Sequence, residues 1–456
     1  MQRPSIEFIN HACVIIDTGS ARILCDPWLR GSVFDNGWDL LVETGQKLAD
    51  LDFTHIWFSH EHPDHFSPPA LKEFPEERRR RTPVLYQQTR DRKVRNFCDG
   101  LGAPVIELAP FEPYPLDQQV TVTSSVVGGY DSWLHVRCPG GSILNANDCR
   151  LIARADLERI KAITGDLDLL MTQFGYANWV GNPGDVESPR RAAGKTAGQI
   201  EAQCAVLRPE FVLPFAGFIW FSHRENYFWN DTAIHVNDAA TALASLGVKP
   251  VVMFPGDRWQ IGSPVDNAPA LSKWQRAYDA VRSRYLHEGR SVPITELQRT
   301  FQSMQSRLQR RNDWSAVSQL KRDGDLPTSF IYLTDHDRSL AFDIVDGLQP
   351  SSTQRGDCDI RLSSEALAYV MNYDWGRGTV TINGRFEASY QTLWRFFRQT
   401  KIGYANNIGK HYPESLTRAE LISDYSFILE LVSGENTNRQ GPARVRAAAG
   451  VDDPRG

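Results

Sequence analysis

The densest chemistry in the chain lies in residues 58–69, FSHEHPDHFSPP, where His60, His62, Asp64 and His65 fall within six positions. Imidazoles two apart at a strand end project the same way and can clasp one metal ion. Asp64 and His65, on the turn that follows, can reach a second ion beside it. Two ions need more donors than one loop supplies. Asp148, in SILNANDC, ends another apolar strand, where a carboxylate could bridge the pair. A later histidine is also required, and His223, in PFAGFIWFSHREN, follows a third apolar run that reads as a strand.

The surrounding text predicts the elements that hold this loop. FTHIWFS (53–59) is aromatic and β-branched and reads as a strand ending where the histidines begin. Ser67 offers an N-cap with Pro68 at the first helical position, so a helix starts just beyond. Residues 5–25 read as two strands, IEFINHACVIID and ARILCD, joined by Thr-Gly-Ser. Further strands (PVLYQQ, PVIELA, QVTVTSSVVGG, WLHVRC, SILNAND) alternate with helical text in DRKVRNFCDGL and AGKTAGQIEAQCAVL, which predicts a layered α/β domain over residues 1–262. Residues 263–326 read as a helical connector, because Leu271, Trp274, Tyr278, Val281 and Tyr285 mark one helix face. Over 327–434 a hairpin, the strand CDIRLS, the helix SEALAYVMN, a strand GTVTING and the helix YQTLWRFFRQT make a smaller α+β domain. Residues 435–456 read as a frayed tail.

Composition narrows the class. An apolar fraction of 41% over 456 residues is ample for a dense interior, and a net charge of −5 gives no case for nucleic acid or an acidic membrane. The run Arg78, Arg79, Arg80, Arg81 follows two glutamates and reads as a solvated helix end. Seven cysteines, odd in number and never spaced CxxC, read as reduced thiols and not as a disulfide framework or zinc ribbon. With no signal-like start and no apolar run of spanning length, the expected location is cytoplasmic.

The H-x-H-x-D-H run after a strand resembles the metallo-β-lactamase fold, an αββα sandwich with a dinuclear metal site at one edge. More narrowly, HACVIID, CDPWLRGSVFDNGWDLL, FSHEHPDH, YDSWLHV with ILNANDC, LLMTQFGYANW and PFAGFIWFSH resemble, in order over residues 5–235, the metallo-β-lactamase part of CMP-N-acetylneuraminate hydroxylase and related diiron oxygenases. The resemblance implies that His60 and His62 hold one iron and Asp64 and His65 the other, with Asp148 bridging and His223 completing the second. It makes Asp26, in CDPW, the aspartate that braces the histidine loop, with His11 and Asn147 as further supports. Zinc hydrolases of this fold carry a third histidine on the first metal, but TSSVVGGYDSW has none. Asp131, seventeen positions before Asp148, and His135, in WLHVRC, are the two candidates for that place. A carboxylate there would favour iron or manganese over zinc.

The expected activity is that of an O2-dependent non-haem diiron monooxygenase. It would hydroxylate an apolar small molecule in secondary metabolism, such as an acyl or terpenoid acid tethered to coenzyme A or a carrier protein. Tyr130, Trp133, Phe174, Tyr176, Trp179 and Trp220 are candidate pocket residues, although more than half of the aromatics in this region are expected in the core. Glu225 is a candidate proton donor or a rim ion-pair partner. CDIRLSSEALAYVMNYDWGRGTVTINGRFEAS resembles sterol-carrier-like domains, which implies a lipidic substrate, or else a lid or a homodimer contact. No Rieske cysteine–histidine pair occurs, so a separate reductase is expected. The alternatives are a dinuclear zinc or manganese hydrolase (lactonase or phosphodiesterase), with His135 or water as third ligand, and a metal-binding protein without catalysis.

Overall fold

Strands that are apolar on both sides must be covered on both sides. The chain meets that demand by stacking two seven-stranded sheets and laying helices on each outer surface. The computed structural model describes residues 3–176 and 178–423, so the expected tail and the last residues of the expected C-terminal domain lie outside the described residues.

The first sheet runs Arg258–Gln260, Ser5–Asn10, Cys13–Asp17, Arg22–Cys25, His55–Trp57, Val84–Gln87, Val105–Leu108, the last four strands parallel. The second runs Lys249–Pro250, Phe211–Phe215, Leu169–Gln173, Gly141–Asn147, Asp131–Cys138, Thr121–Val127, Tyr114–Pro115, the first four parallel. Ile6, Val14 and Trp57 share the central core with Leu134, Leu144, Leu170 and Val212. Leu71 and Val94 of the helices Pro68–Glu73 and Lys93–Gly100 cover the first sheet. Leu157, Ile160 and Leu207 of Arg154–Thr164 and Glu187–Leu207 cover the second. The result is the αββα layering of the metallo-β-lactamase fold.

Two local expectations change. IEFINHACVIID is a hairpin and not one strand. The chain reverses at His11, which takes φ 32°, while the Asn10 side-chain oxygen accepts the His11 N–H at 2.9 Å. GTVTING is a helix, Gly376–Asn383, ended by Gly384 at φ 65°. Its β-branched residues lose to tertiary contact. Gly376 lies against Ser364–Asn372, where a Cβ would stand 2.5 Å from the Tyr369 carbonyl oxygen. The connector also divides. Trp274 and Val281 join the first core, Leu297, Phe301 and Leu308 join a second, and Tyr285 is 78% exposed. Half of the basic run is structural. Arg78 lies over the Phe53 and Phe74 rings, Arg79 donates to the Phe74 and Leu101 carbonyls, and only Arg80 and Arg81 form solvated pairs, with Glu76 and Glu77.

The second core belongs to a five-stranded sheet of Ser329–Leu333, Arg338–Asp343, Gly347–Ser351, Ile360–Leu362 and Glu387–Ala388, with Ile294–Arg311 and Trp394–Asn407 against it. Arg385 fastens this module to the sandwich. Its side chain is fully buried and pairs with Asp35, Glu225 and Glu365, each at 2.8 Å. Asp35 sits in a left-handed turn (Phe34 φ 50°, Asp35 φ 56°, Asn36 φ 57°). Asn383 donates to the Phe34 carbonyl at 2.8 Å, and Asn226 donates to the Gly37 and Asn383 carbonyls at 2.9 and 2.7 Å. All seven cysteines are buried free thiols, and no helix among the described residues is long and apolar enough to cross a membrane.

Replacing Arg385 by Met leaves three acids at this junction without their shared cation and is expected to cost about 3–5 kcal/mol in urea denaturation at pH 8. Burial raises Asp35 to about 6. Between pH ~4 and ~6 the folded chain therefore keeps a proton the unfolded chain has released, and stability at this site falls as pH rises through that window. Losing the guanidinium extends the fall to higher pH, so the variant's deficit shrinks at pH 5. An unchanged urea midpoint at pH 8 would contradict the clamp.

Candidate metal centre

The carboxyl ends of the parallel strands converge at one edge of the sandwich, where such sheets place their ligands. His55–Trp57 delivers the histidine loop, Arg22–Cys25 delivers Asp26 and Gly141–Asn147 delivers Asp148. The reversal at His11 reaches the same edge, and Asp131 begins the antiparallel strand Asp131–Cys138 there. Left-handed backbone gathers here at non-glycine residues: His11 (φ 32°), Asp26 (41°), Asn147 (48°) and Ala216 (47°). Strain of this kind persists where the surrounding structure over-determines it, commonly at functional sites.

The side chains close on one another. His65 Nε2 is 3.2 Å from Asp64 Oδ2 and 3.5 Å from Asp148 Oδ2, and His11 Nε2 is 3.5 Å from Asp64 Oδ2. His60 Nε2 is 2.8 Å from His62 Nδ1 and 3.9 Å from Asp131 Oδ1. Ligand atoms of His11, Asp64 and His65 lie within 4.8 Å of one another, as do those of His60, His65 and Asp148. Both ring nitrogens of His11, Nε2 of His65 and Oδ1 of Asp64, Asp131 and Asp148 are buried without a hydrogen-bond partner. Each such atom costs about 1–3 kcal/mol. The groups His11–Asp64–His65 and His60–His65–Asp148, each offering one donor atom per residue, suit cations that would accept those lone pairs.

A rear layer aims the rings. Asp26 Oδ2 lies 3.1 Å from His65 Nδ1 and receives the Asn147 amide, while Asp26 Oδ1 accepts the Ser59 N–H at 2.8 Å. Ser59 Oγ meets His60 Nδ1 at 2.9 Å, and Ser132 Oγ donates to the Ser59 carbonyl at 2.6 Å. With Nδ1 occupied behind, each ring presents Nε2 forward. Burial, with His65 and His62 alongside, holds His60 well below the usual histidine range, hence neutral and able to ligate. Burial and then Asp148 push Asp131 up to about 8. Burial opposes charge on Asp64 and His65 too. Their mutual attraction outweighs it, depressing Asp64 and, with Asp148, raising His65. Metal binding exchanges for such protons.

His60, His62, Asp64, His65, Asp131 and Asp148 are thus brought together, with Asp26 and Asn147 behind them. His11 stands with Asp64 as a ligand-type donor and not behind the histidine loop. His223 stands elsewhere. The strand Ile219–Phe221 pairs with Trp38–Leu40 and carries the chain to the Arg385 junction, where Glu225 N–H donates to His223 Nδ1 at 3.1 Å. Burial and the Arg385 charge lower His223 to about 3. At the site's edge the strand Phe211–Phe215 presents Ala216 instead, in a recess with His11 and Asp64. Glu225 is held by Arg385 at 2.8 Å and is not on the cavity wall. His135 bonds Ser142 Oγ at 2.9 Å, and burial lowers it to about 4.

A cavity of about 520 Å³ opens from His62, Asp64, Asp131 and Asp148. Tyr130 and Tyr176 line it, together with Phe34 and Trp38. The other four candidate aromatics are packed inside: Trp133 against Phe111, Phe174 against Phe218, Trp179 stacked on Phe386, and Trp220 beneath Arg284. Arg150, Lys195, Arg377, Lys401 and Tyr404 also line the cavity and had no local signature, since three of the five come from the C-terminal module. Beyond the HACVIID resemblance, the Asn10–His11 pair was a local signal for the reversal at His11, because asparagine caps tight turns.

Comparison with known proteins agrees with this layering. Residues 5–128 match the family described as Beta-lactamase superfamily domain. Over about half its length it is similar to cytidine monophosphate-N-acetylneuraminic acid hydroxylases. The identity is 29% over 248 residues with that of Cricetulus griseus (50% of this chain, 42% of the relative) and 31% over 245 residues with that of Pan troglodytes (50% and 40%). The chain therefore spans about two fifths of the length of these curated relatives. Among solved structures, CmlA, a diiron beta-hydroxylase from Streptomyces venezuelae, overlays with a TM-score of 0.41 at 17% identity (57% of this chain, 55% of that one). The isothiocyanate hydrolase from Delia radicum gut bacteria overlays with a TM-score of 0.41 at 14% identity (57% and 100%).

His11→Ala is expected to lower the metal bound per chain, read by elemental analysis after dialysis. Asp26→Asn should weaken metal affinity about 10–100-fold. His223→Ala should keep the wild-type metal content, and a loss equal to that of His11→Ala would return His223 to the ligand set.

Proposed function

We propose that the chain is a non-haem diiron oxygenase of the cytoplasm that hydroxylates a small molecule, taking electrons from an external reductase. The observation that supports this reading most directly is the buried convergence of four imidazoles and three carboxylates whose lone pairs are largely unpartnered within the protein. The similarity to hydroxylases over half the chain supports it further. In this reading His60, His62 and Asp131 would hold one ion and His11, Asp64 and His65 the other, with Asp148 as a ligand available to both. With three hard oxygen donors, this set suits iron or manganese better than zinc. Iron bound there would supply the redox chemistry that cleaves O2. Two electrons come from the oxidised C–H bond and two from the reductase, one oxygen atom entering the product and the other leaving as water.

The protein's own part is orientation and exclusion. Asp26 and Ser59 hold the imidazoles in place. Phe34 and Trp38 wall the site against water, and Tyr130 O–H meets Tyr404 O–H at 3.2 Å across the cavity. The C-terminal module, with its resemblance to sterol-carrier-like domains, shapes the substrate side. A substrate from secondary metabolism, tethered to coenzyme A or a carrier protein, belongs to the same reading.

The test is to load the metal-stripped chain with ferrous iron under nitrogen. Two irons per chain, an antiferromagnetically coupled diferric Mössbauer signal after air, and O2 uptake on adding a chemical reductant are expected. Asp131→His should shift metal retention toward zinc. A chain that instead purifies with stoichiometric zinc and cleaves lactones or phosphodiesters without O2 is a dinuclear hydrolase.

A further inference from the structure

Beside the cavity at the candidate metal centre lies a second one, of about 330 Å³, between the sandwich and the C-terminal module. Phe66, Val94 and Phe97 wall it from the sandwich, and Tyr369, Trp375 and Ile382 wall it from the module. The two cavities meet, because Phe34, His62, Tyr130, Gly378, Ile382 and Tyr404 line both. His62 therefore stands on their boundary.

The two differ in what they offer a ligand. The first carries buried carboxylate oxygens of Asp64, Asp131 and Asp148 that have no hydrogen-bond partner. The second carries no such atom among the described residues, and its polar side chains bond one another. Lys93 Nζ pairs with Glu61 at 2.8 Å and donates to the Asn407 side-chain oxygen at 3.0 Å. The Tyr130 and Tyr404 hydroxyls meet at 3.2 Å, and the Tyr369 hydroxyl is bonded to the Trp375 and Thr379 side chains. Ring and aliphatic surface is what remains. A polar group entering here would give up water and gain no partner, whereas an apolar one is driven in by leaving water.

The outer end of the cavity has the same character. Tyr373 and Trp375 are 41% and 46% exposed, and their rings stack at 4.8 Å. Tyr369 lies 4.8 Å from Tyr373, so a row of rings runs from the surface to the cavity wall. Single exposed apolar residues are ordinary, but a contiguous row leading into an apolar cavity marks a binding site. At the inner end a Cβ on Gly378 would stand 3.3 Å from the Tyr404 ring. Glycine weakens a helix interior, and here it lets Tyr404 stand at the boundary of the two cavities.

We propose that the second cavity is a subsite for an uncharged apolar group of the substrate, alkyl or aryl, which it holds against the His62 side of the metal centre. The subsite deepens the oxygenase reading and rests on it only for the oxidation of the group held there.

The experiment follows the fluorine NMR lines of 1-fluoronaphthalene and 1-fluorooctane with the metal-stripped full chain, then with the chain loaded with manganese(II) or with zinc. Saturable broadening by the metal-stripped chain is expected for at least one probe, and the tighter binder assigns an aryl or an alkyl group. Thr379→Phe, which fills the second cavity, should weaken binding about tenfold at unchanged circular dichroism and metal content. Trp375→Ala, at the exposed mouth, should weaken it about threefold and Trp375→Phe should restore it, which separates loss of the wall from misfolding. Thr196→Trp, on the wall of the first cavity only, should bind as wild type does. Paramagnetic manganese should broaden the bound probe's line well beyond zinc. The proposal falls if neither probe binds, if Thr379→Phe and Trp375→Ala both bind like wild type, if Thr196→Trp abolishes binding, or if manganese at full occupancy adds no broadening. A chain that takes up no manganese refutes the metal centre, while binding by the metal-stripped chain still supports the subsite. Were the chain found to hold zinc and to ignore O2, only the oxygenase reading would fall.

Discussion

Asp26 has no exposed atom, and its two oxygens receive the Ser59 N–H, the Asn147 amide and a contact from His65 Nδ1. One carboxylate thereby ties the histidine loop of the first sheet to the strand of the second sheet that ends in Asp148. Removing it would free the loop and leave the ring of His65 without a rear partner. The cost of folding Asp26 at φ 41° in a dry interior is offset by these charge-assisted bonds, each stronger than a neutral one. Everything in front of it, from the facing of Nε2 atoms to the spacing of the two ligand groups, depends on this tie.

What could be read from the chain followed the range of the interactions responsible. The histidine loop and its flanking strand and helix are local, so spacing and an N-cap signal were enough to place His60, His62, Asp64 and His65 between His55–Trp57 and Pro68–Glu73. The alternating strand and helix text likewise announced the sandwich. Where a non-local contact decided, local text misled. The β-branched run at 379–382 folds as helix because it must lie against Ser364–Asn372, and the strand-like stretch through His11 reverses because a side-chain oxygen caps the turn. His223 follows an apolar run, as a ligand might, yet the short pairing of Ile219–Phe221 with Trp38–Leu40 leads it away. No spacing rule could have joined Lys195 to Lys401 across two cores.

The cavity is consequently a joint product of the two cores. The sandwich contributes the candidate metal-ligating cluster and one set of walls; the five-stranded module contributes Arg377, Lys401 and Tyr404. Aromatic content, which in the sequence pointed to an apolar lining, is mostly spent on packing at depth, as the burial of Trp133, Phe174, Trp179 and Trp220 attests. Arg150, Lys195, Arg377 and Lys401 line the open space together with Phe34, Trp38, Tyr130 and Tyr176.

The Arg385 junction bears on how such a chain can diversify. Phe34, on the cavity wall, precedes Asp35, which Arg385 grips from the other core. The half that carries the candidate metal centre is therefore not an autonomous cassette. Any recombination that exchanged the carboxy-terminal portion for an unrelated one would have to bring an arginine to the same depth, or lose the acids at positions 35 and 225 in the same step. Lineages descended from this architecture should inherit those three positions as a linked block, changing together or not at all.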